Sequence, residues 1–416
     1  MRQITISGGL PLKGELSVQS AKNSVLPILA ATIVCTDVCC IRHCPHLSDV
    51  ESAVEILQYL GGDARWDGDD LLVDTRQLSG CEIPEALMRK MRSSVIFLGA
   101  ILARCGQCRL SYPGGCELGP RPIDLHLGAL RSLGTEITED GGILDCRAAD
   151  LRGADIVLAL PSVGATENAM LAAVGAQGTT IILGAAREPE IVDLQNFLRQ
   201  AGAEIHGAGG DTIAIVGKRP LRGCTYQCIG DRIAASTYLC AAAATGGDIS
   251  LRGIDHRHLS TVTTALRCAG ADLTCGDDTI ALRCAGPLRS IPTVRTSPYP
   301  GFPTDAQAVL MAALLRSRGT TVFVENIFEN RYRHVPELRR MGADVALEGR
   351  VAVVCGVERL SGAVVQCTDL RGGAALVIAA LQARGRTSVT MTEHIERGYE
   401  DIVGDLQALG AAISWQ

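Results

Sequence analysis

Apolar residues recur along this chain at two spacings that alternate in a fixed order, and residues 162–227 show that order most clearly. Ser162 is a typical N-cap residue, and the small apolar residues that follow it predict a helix through Ala173. Gly178 then precedes five strand-forming residues, 179–183. The first half of this segment therefore predicts a helix followed by a strand.

The second half of the segment predicts another helix and two more strands. Apolar residues keep a helical spacing from Ile191 to Leu198, and Gly202 follows at the position where glycine commonly ends a helix. Residues 212–216 alternate as a strand does, and a further extended segment covers residues 221–226. The whole segment thus predicts one helix–strand–helix–strand–strand unit.

Two sequence patterns show that this unit occurs six times. A Leu-x-x-(Leu/Ala/Met)-Gly pattern recurs with spacings of 73, 68, 68, 72 and 68 residues, its glycines being Gly61, Gly134, Gly202, Gly270, Gly342 and Gly410. A Leu-x-Gly pattern begins at Leu12, Leu78, Leu151, Leu221, Leu288 and Leu360, with Ser290 replacing the fifth glycine. One shared period of about 70 residues indicates a repeat architecture.

The phasing of the repeats predicts the domain organisation. The sixth unit stops after residues 412–415, and the N-terminal segment 1–20 supplies the strands that it lacks. We therefore expect an α/β protein of two similar domains with three units each. One domain covers residues 21–229, and the discontinuous second domain joins residues 1–20 to 230–416. We expect the active site in the cleft between them.

Composition and charge narrow the possible functions. The chain has 416 residues, of which 47% are hydrophobic and 20% charged, as in a folded protein of several domains. A net charge of −6 and only 3% aromatic residues argue against a nucleic-acid-binding surface. No apolar signal segment or membrane span is present in the sequence. We expect a cytoplasmic protein whose seventeen cysteines are mostly buried and reduced.

Positions that depart from the repeat are candidates for function. The stretch from the glycine before the mid-unit strand to the marker glycine spans 23 to 25 residues in units three, five and six, but 28 in unit two. The extra length lies in residues 111–120, where Cys116 stands among glycines shortly before Arg121. A nearby guanidinium would favour the thiolate, whereas burial or a bound anion would favour the thiol. The alternative is an ordinary surface loop with an incidental cysteine.

Charged residues mark the starts of several predicted helices. Lysine is rare, and Lys22-Asn23 stands at a predicted crossing between the domains, where an ammonium can bind phosphate or carboxylate. Other units begin their first helix with Arg92-Ser93-Ser94, Asp231-Arg232, Thr304-Asp305 and Asp369-Leu370-Arg371. The aspartates are explained most simply as N-caps, although converging helix N-termini also favour an anion. Arg397 occupies in unit six the position of the cysteine loop in unit two.

Longer motifs resemble a known family over essentially the whole chain. They are Ser20-Ala21-Lys22-Asn23, Pro113-Gly114-Gly115-Cys116, Arg121-Pro122-Ile123-Asp124-Leu125-His126, Pro161-Ser162-Val163-Gly164-Ala165-Thr166, Ala186-Arg187-Glu188-Pro189-Glu190, Phe302-Pro303-Thr304-Asp305, Phe328-Glu329-Asn330-Arg331, Thr368-Asp369-Leu370-Arg371 and Arg397-Gly398-Tyr399-Glu400. With them the sequence resembles the UDP-N-acetylglucosamine 1-carboxyvinyltransferase family. The fold of that family, two domains of three repeats each, agrees with the count of six.

The resemblance implies a reaction and a set of roles. The enolpyruvyl group of phosphoenolpyruvate would pass to the 3′-hydroxyl of UDP-N-acetylglucosamine with release of phosphate, the first committed step of peptidoglycan precursor synthesis. Cys116 would be the general acid and Asp305 the base, and Lys22, Arg121, Arg371 and Arg397 would bind phosphoenolpyruvate. The sugar nucleotide would contact Asn23, Arg92, Arg121, Pro122, Ile123, Asp124, Leu125, Ser162, Val163, Gly164, Asp305 and Ile327. The family implies no cofactor or metal, and fosfomycin would alkylate Cys116.

Two departures and three alternatives accompany this interpretation. Leu160-Pro161 stands where some family members have a lysine, and Gly372 stands where alanine is usual. The nearest alternative is 5-enolpyruvylshikimate-3-phosphate synthase, which has the same fold and a different acceptor. RNA 3′-phosphate cyclase fits neither the acidic charge nor the scarce aromatics. A regulatory sugar-nucleotide-binding paralogue would have no need of the acid and base pair.

Overall fold

A computed structural model describes residues 2–112 and 122–416, with the side chain of Arg92 excepted. These residues form two compact domains, which are called unit 1 and unit 2, with numerals, to distinguish them from the six repeats. Unit 1 contains residues 2–19 and 230–416, and unit 2 contains residues 20–112 and 122–229. No helix of the described ranges is long and apolar enough to cross a membrane.

The helices of the described ranges are mostly short. They are α1 (Lys22–Ala31), α2 (Ser48–Tyr59), α3 (Glu85–Lys90), α4 (Phe97–Cys105), α5 (Asp124–Ser132), α6 (Val163–Ala173), α7 (Pro189–Gln200), α8 (Arg232–Thr245), α9 (Ser260–Cys268), α10 (Thr304–Ala313), α11 (Val335–Arg340), α12 (Leu370–Gln382) and α13 (Ile402–Ala408). A 3₁₀ segment, Arg92–Ile96, precedes α4.

The strands are two to five residues long. They are β1 (Ile4–Ser7), β2 (Lys13–Ser17), β3 (Cys39–Arg42), β4 (Asp63–Asp67), β5 (Asp70–Asp74), β6 (Glu82–Ile83), β7 (Gln107–Ser111), β8 (Glu136–Asp140), β9 (Ile143–Arg147), β10 (Asp155–Val157), β11 (Thr179–Leu183), β12 (Glu204–His206), β13 (Thr212–Val216), β14 (Thr225–Gln227), β15 (Asp248–Arg252), β16 (Asp272–Cys275), β17 (Thr279–Arg283), β18 (Thr293–Arg295), β19 (Thr320–Val324), β20 (Asp344–Glu348), β21 (Val351–Cys355), β22 (Val364–Gln366), β23 (Arg386–Thr390) and β24 (Ala412–Trp415).

Six four-stranded sheets, as far as the described residues go, share one topology. The order β10-β11-β13-β12 is typical: β10 pairs parallel with β11, and the other neighbours pair antiparallel. In β13 the buried positions alternate with partly buried or exposed ones, as expected where one face of a sheet covers a core. The recurrence of one topology agrees with the six units predicted from the sequence.

The repeat predicted from the sequence lacks one strand that is present in each of the six observed repeats. In the third repeat this strand is β12, which begins two residues after the marker glycine Gly202 and pairs only with β13. It is short and lies at an edge of its sheet, so its pattern of buried and exposed positions is weak. The helix α7 also begins at Pro189, two residues before the predicted start, because proline fits the first helical position.

Strands from distant parts of the chain complete the sheets. In unit 1, β1 lies between β23 and β24, with Ile4 opposite both Val389 and Trp415. In unit 2, β14 pairs parallel with β3, with Tyr226 opposite Ile41. The pairing of β1 is the one that the repeat phasing predicts for the sixth unit. For the second N-terminal strand the prediction is wrong: β2 pairs parallel with β15 in the sheet of the fourth unit, with Leu16 opposite Leu251, because, like β14, it lies at the edge of a sheet formed by another repeat.

Three helices form the core of unit 1 and expose little but their ends. The helices α8, α10 and α12 pack against one another, and α8 and α12 each bury twelve residues. In unit 2, α4 packs against both α1 and α6. Because such helices are apolar on nearly every side, the few polar side chains within them, such as Thr237 and Asn168, are hydrogen-bonded inside the protein.

The recurring glycines have two different physical causes. All six marker glycines have φ between 88° and 111°, which confirms that they end the second helices in the left-handed conformation. Four of the five glycines of the Leu-x-Gly pattern, Gly80, Gly153, Gly223 and Gly362, instead permit close approach of backbone, whereas Gly14 has a φ of 128° and no such contact among the described residues. A Cβ on Gly153, for example, would lie 2.3 Å from the carbonyl oxygen of Thr179.

We predict that Gly153→Ala lowers the free energy of unfolding by about 2 kcal/mol, because the added methyl group overpacks a rigid backbone contact. Gly128→Ala is the matched control, since Gly128 lies on the exposed side of α5 with no atom within 4 Å of its Cβ position. Urea denaturation of the two variants measures the difference. Equal stabilities would contradict the close-approach explanation.

Candidate functional site

Asp305 lies in the first turn of α10, and two buried arginines hold its carboxylate. Arg331 Nη2 donates to Oδ1 at 2.7 Å, and Arg371 Nη2 donates to Oδ2 at 3.2 Å. The arginine side chains are 3% exposed, whereas that of Asp305 is 28% exposed. Charge-assisted hydrogen bonds of this kind fix the orientation of a carboxylate and favour its ionised form. Asp305 is therefore an oriented and partly exposed carboxylate.

The aspartates at the helix starts in unit 1 have different roles. Asp231 accepts hydrogen bonds from the backbone N–H groups of Ile233 and Ala234 and caps α8, and Asp369 caps α12 in the same way. The predicted N-cap role is therefore confirmed for these two residues. It is wrong for Asp305, because Pro303 occupies the N-cap position of α10.

The cap of α12 also accounts for one departure from the family pattern. A Cβ on Gly372 would lie 2.7 Å from Asp369 Oδ2 and 2.9 Å from His334 Cβ. Glycine is therefore the residue that this packing accommodates without displacing the cap.

Arg371 is buried between acidic and phenolic groups. Its Nη1 donates to the Tyr399 hydroxyl at 3.4 Å, and that hydroxyl lies 2.8 Å from Thr237 Oγ1. Burial opposes ionisation of the guanidinium, but the charges of Asp305 and Asp231, together with Tyr399, hold the pKa of Arg371 above its ordinary value. Arg371 therefore stays charged although it is removed from water.

The segment that carries Arg397 is attached to the same region. Gln19 Nε2 donates to the carbonyl oxygen of Gly398 at 3.2 Å, and the backbone N–H of Glu400 donates to Gln19 Oε1 at 3.0 Å. Arg397 itself is half-buried and lies two residues before Tyr399. Unit 1 thus brings together Asp305, Arg371 and the segment that carries Arg397.

Ile327 is joined to the start of α10 through a buried glutamate. Glu325 is 1% exposed, and its Oε1 accepts hydrogen bonds from the backbone N–H groups of Ile327 at 2.7 Å and Phe328 at 2.9 Å. Its Oε2 accepts a hydrogen bond from Thr304 Oγ1 at 3.0 Å. These contacts hold the backbone of Ile327 beside Thr304, the residue before Asp305, and the Ile327 residue is 39% exposed.

Unit 2 contains an ion pair at the start of α1. Lys22 Nζ lies 2.7 Å from Asp49 Oδ2, with the side chains 10% and 3% exposed. Asp49 belongs to the first turn of α2, which packs against α1. The pair orients the ammonium group, and the neighbouring Asn23 is exposed.

Two further predicted segments of unit 2 lie side by side. Ser162 caps α6 by accepting a hydrogen bond from the backbone N–H of Ala165 at 3.4 Å, and Val163 and Gly164 form the first turn. The ring of His126, directly after the 122–125 segment, lies so close that a Cβ on Gly164 would be 2.8 Å from its Cε1. Within that segment Pro122 and Asp124 are exposed, Leu125 is half-buried and Ile123 is buried.

Some predicted site residues lie outside the described part of the structure. They are Cys116, Arg121 and the side chain of Arg92. In the described ranges no cluster of three His, Cys, Asp or Glu residues could hold a metal ion.

Three residues with evident site contacts had no assigned role in the sequence interpretation. Arg331 closes the motif that begins at Phe328, so the motif itself was its only signal. Asp49 and Glu325 give no signal in the sequence, because their contacts depend on how distant segments pack.

Comparisons with known proteins identify the family and the fold. A model of the family EPSP synthase (3-phosphoshikimate 1-carboxyvinyltransferase) matches residues 6–406. In the enolpyruvyl transferase NikO from Streptomyces tendae, the fold is similar with a TM-score of 0.89 and 27% identity, over 100% of this chain and 99% of that chain. EPSP synthase from Acinetobacter baumannii has a TM-score of 0.75 at 18% identity, with 100% of both chains covered. These likenesses confirm the predicted fold class.

Sequence relatives define the group more narrowly. The chain is 49% identical over 413 residues to UDP-N-acetylglucosamine 1-carboxyvinyltransferase 2 of Caldanaerobacter subterraneus subsp. tengcongensis, with 99% of each chain covered. It is 47% identical over 413 residues to UDP-N-acetylglucosamine 1-carboxyvinyltransferase 1 of Carboxydothermus hydrogenoformans, covering 99% of this chain and 98% of the relative. The chain therefore belongs to the EPSP synthase family, and within it to the UDP-N-acetylglucosamine 1-carboxyvinyltransferases, which confirms the resemblance seen in the motifs.

Proposed function

We propose that this protein transfers the enolpyruvyl group of phosphoenolpyruvate to the 3′-hydroxyl of UDP-N-acetylglucosamine and releases phosphate. The observation that carries the proposal is the partly exposed Asp305 carboxylate, oriented by Arg331 and Arg371. The relatives that share its sequence at 45–49% identity have names that state this transfer.

The donor needs several cations because it carries both a phosphate and a carboxylate. Lys22, Arg121, Arg371 and Arg397 bind it in this proposal. Arg371 suits the task because its guanidinium stays charged while buried, where its attraction to an anion is only weakly screened. The ion pair with Asp49 keeps Lys22 in a fixed position for the same purpose.

The chemistry requires an acid and a base. Cys116 protonates the methylene carbon of phosphoenolpyruvate, which makes C2 electrophilic, and the 3′-oxygen attacks C2 while Asp305 accepts its proton. The product of this addition is a tetrahedral phosphate-bearing ketal. The Cys116 thiolate then removes a proton from the new methyl group while phosphate leaves C2 and takes the proton held by Asp305, which restores the enol ether, now attached to the sugar. Atoms and charges balance without a cofactor.

The acceptor lies in this proposal against Asn23, Arg92, residues 121–125, residues 162–164, Asp305 and Ile327. Leu160 is 67% exposed at the position where some relatives have a lysine. This protein therefore binds the diphosphate with fewer charged contacts before residue 162, and the first turn of α6 supplies backbone N–H groups.

We further propose the cytoplasm as the site of the reaction and peptidoglycan precursor synthesis as its purpose, with cell shape and division depending on it. The two substrates are small soluble molecules, so neither nucleic acid nor a membrane is a partner.

We predict that the purified protein releases phosphate only when phosphoenolpyruvate and UDP-N-acetylglucosamine are both present. Mass spectrometry of the sugar nucleotide should show enolpyruvyl addition. The matched control is shikimate 3-phosphate as acceptor. Phosphate release from phosphoenolpyruvate with shikimate 3-phosphate, and not with the sugar nucleotide, would move the assignment to EPSP synthase. Binding of the sugar nucleotide without turnover would favour a regulatory protein.

We predict that Asp305→Asn lowers kcat by at least about 100-fold, because an amide cannot accept the proton of the hydroxyl. Asp344→Asn is the control, an exposed aspartate of the same unit at the start of β20. Circular dichroism should show that both variants are folded. Turnover of Asp305→Asn within about threefold of the unmodified protein would exclude Asp305 as the base.

We predict that fosfomycin adds once to the unmodified protein and not to Cys116→Ala, as judged by intact mass. Cys268 is an exposed thiol in unit 1, so Cys268→Ala should still be labelled. Labelling that persists in Cys116→Ala would place the reactive thiol elsewhere.

A further inference from the structure

One fully buried amide in unit 2 contacts several segments at once. Asn168 is 0% exposed on α6. Its Oδ1 accepts a hydrogen bond from the backbone N–H of Gly99 at 2.7 Å. Its Nδ2 lies 3.1 Å from the carbonyl oxygen of Val95, 2.9 Å from His126 Nδ1 and 3.4 Å from the carbonyl oxygen of Gly164. A buried network with so many contacts fixes its members closely.

These contacts determine which way the amide points. If the oxygen and nitrogen were exchanged, Nδ2 would face the N–H of Gly99, donor against donor. The oxygen would then face the carbonyl of Val95, acceptor against acceptor. The orientation is therefore unambiguous, and Nδ2 is the atom that faces His126.

The orientation of the amide determines the state of His126. Because an amide N–H₂ group can only donate, His126 Nδ1 must accept, and the ring proton must reside on Nε2. Burial lowers the pKa of His126 to about 4, with the nearby charge of Asp124 opposing the shift, so the ring is neutral near pH 7. The Nε2 edge faces the first turn of α6, since a Cβ on Gly164 would lie 3.2 Å from Nε2.

The same amide joins three parts of the proposed sugar-nucleotide site. Through Val95 and Gly99 it holds the 3₁₀ segment that begins at Arg92 and the start of α4. Through His126 it holds the segment that contains residues 122–125, and its own helix carries residues 162–164. A Cβ on Gly99 would lie 2.3 Å from the carbonyl oxygen of Asn168, so glycine permits this close approach.

We propose that Asn168 is a positioning residue for the sugar-nucleotide site: it fixes His126 as the neutral form protonated at Nε2 and keeps the three segments in register. Asn168 is buried and acts through the groups that it orients. His126 thereby offers a hydrogen-bond donor at the first turn of α6, complementary to an acceptor oxygen of the nucleotide. The identity of the substrate in this inference rests on the proposed function, whereas the contacts of Asn168 and the state of His126 rest on the geometry.

The first test needs no substrate. In ¹⁵N-labelled unmodified protein near pH 7, long-range ¹H–¹⁵N correlation spectra should show His126 neutral, with Nε2 protonated and Nδ1 unprotonated. The variant His126→Gln assigns the signal among the eight histidines. A proton on Nδ1 would overturn the proposal, and this measurement does not depend on the folding of any Asn168 variant.

The second test uses Asn168→Asp. A carboxylate can still accept from Gly99 but cannot donate, so the proton of His126 should move to Nδ1. The KM for UDP-N-acetylglucosamine should rise about tenfold, while the KM for phosphoenolpyruvate stays within about twofold. Gln195→Glu is the matched control, a buried amide of unit 2 that accepts a hydrogen bond from the backbone of Ala208. It should leave both KM values unchanged.

The outcomes separate the alternatives. A lower melting temperature of Asn168→Asp with both KM values unchanged would show a purely structural residue and overturn the proposal. An unmodified protein without activity toward UDP-N-acetylglucosamine would refute the proposed function, whereas the histidine spectra would still test the geometry on their own.

Discussion

Burial of the central helices on nearly every side is the constraint on which the rest of this structure depends. In α8 and α12 almost every residue is covered, so side-chain polar atoms inside these helices need partners within the protein, as Thr237 has in Tyr399. The first turn is where the helix leaves backbone N–H groups unpaired. The unpaired backbone N–H groups of the first turn and the positive end of the helix dipole favour acidic side chains and anions at that place. Asp231 and Asp369 accept hydrogen bonds from the backbone N–H groups of α8 and α12. Asp305 does not cap α10, and its carboxylate binds the two arginines instead. Chemistry at the helix starts is thus a consequence of the packing.

The two units use this constraint differently. In unit 1, the partly exposed carboxylate of Asp305 lies against two guanidinium groups, those of Arg331 and Arg371. In unit 2, Lys22 lies against Asp49, whereas the contacts of Ser162 and His126 around α6 involve neutral groups.

Much of the fold was predictable because local rules determine it. The strands 179–183 and 212–216 and the six marker glycines follow from side-chain pattern and backbone conformation alone. The strand β12 was missed because an edge strand of three residues has almost no pattern. Asp305, Arg371 and Arg397 were found through motifs, but the contact of Arg331 with Asp305 spans 26 residues of sequence and arises only on packing. Asn168 gave no signal in the sequence either, since three of its four partners are 42 to 73 residues away.

The position of β1 between β23 and β24 sets the order in which the molecule can assemble during synthesis. Residues 20–229 emerge from the ribosome as one continuous stretch and contain all the strands of their own sheets. The first strand, by contrast, must wait for partners near residues 386–415 before its backbone groups are paired. Contacts between residues so distant in sequence form slowly, and an unpaired apolar strand is prone to aggregation until its partner strands are synthesised. A chaperone that shields the nascent N-terminus would therefore act on unit 1 far more than on unit 2.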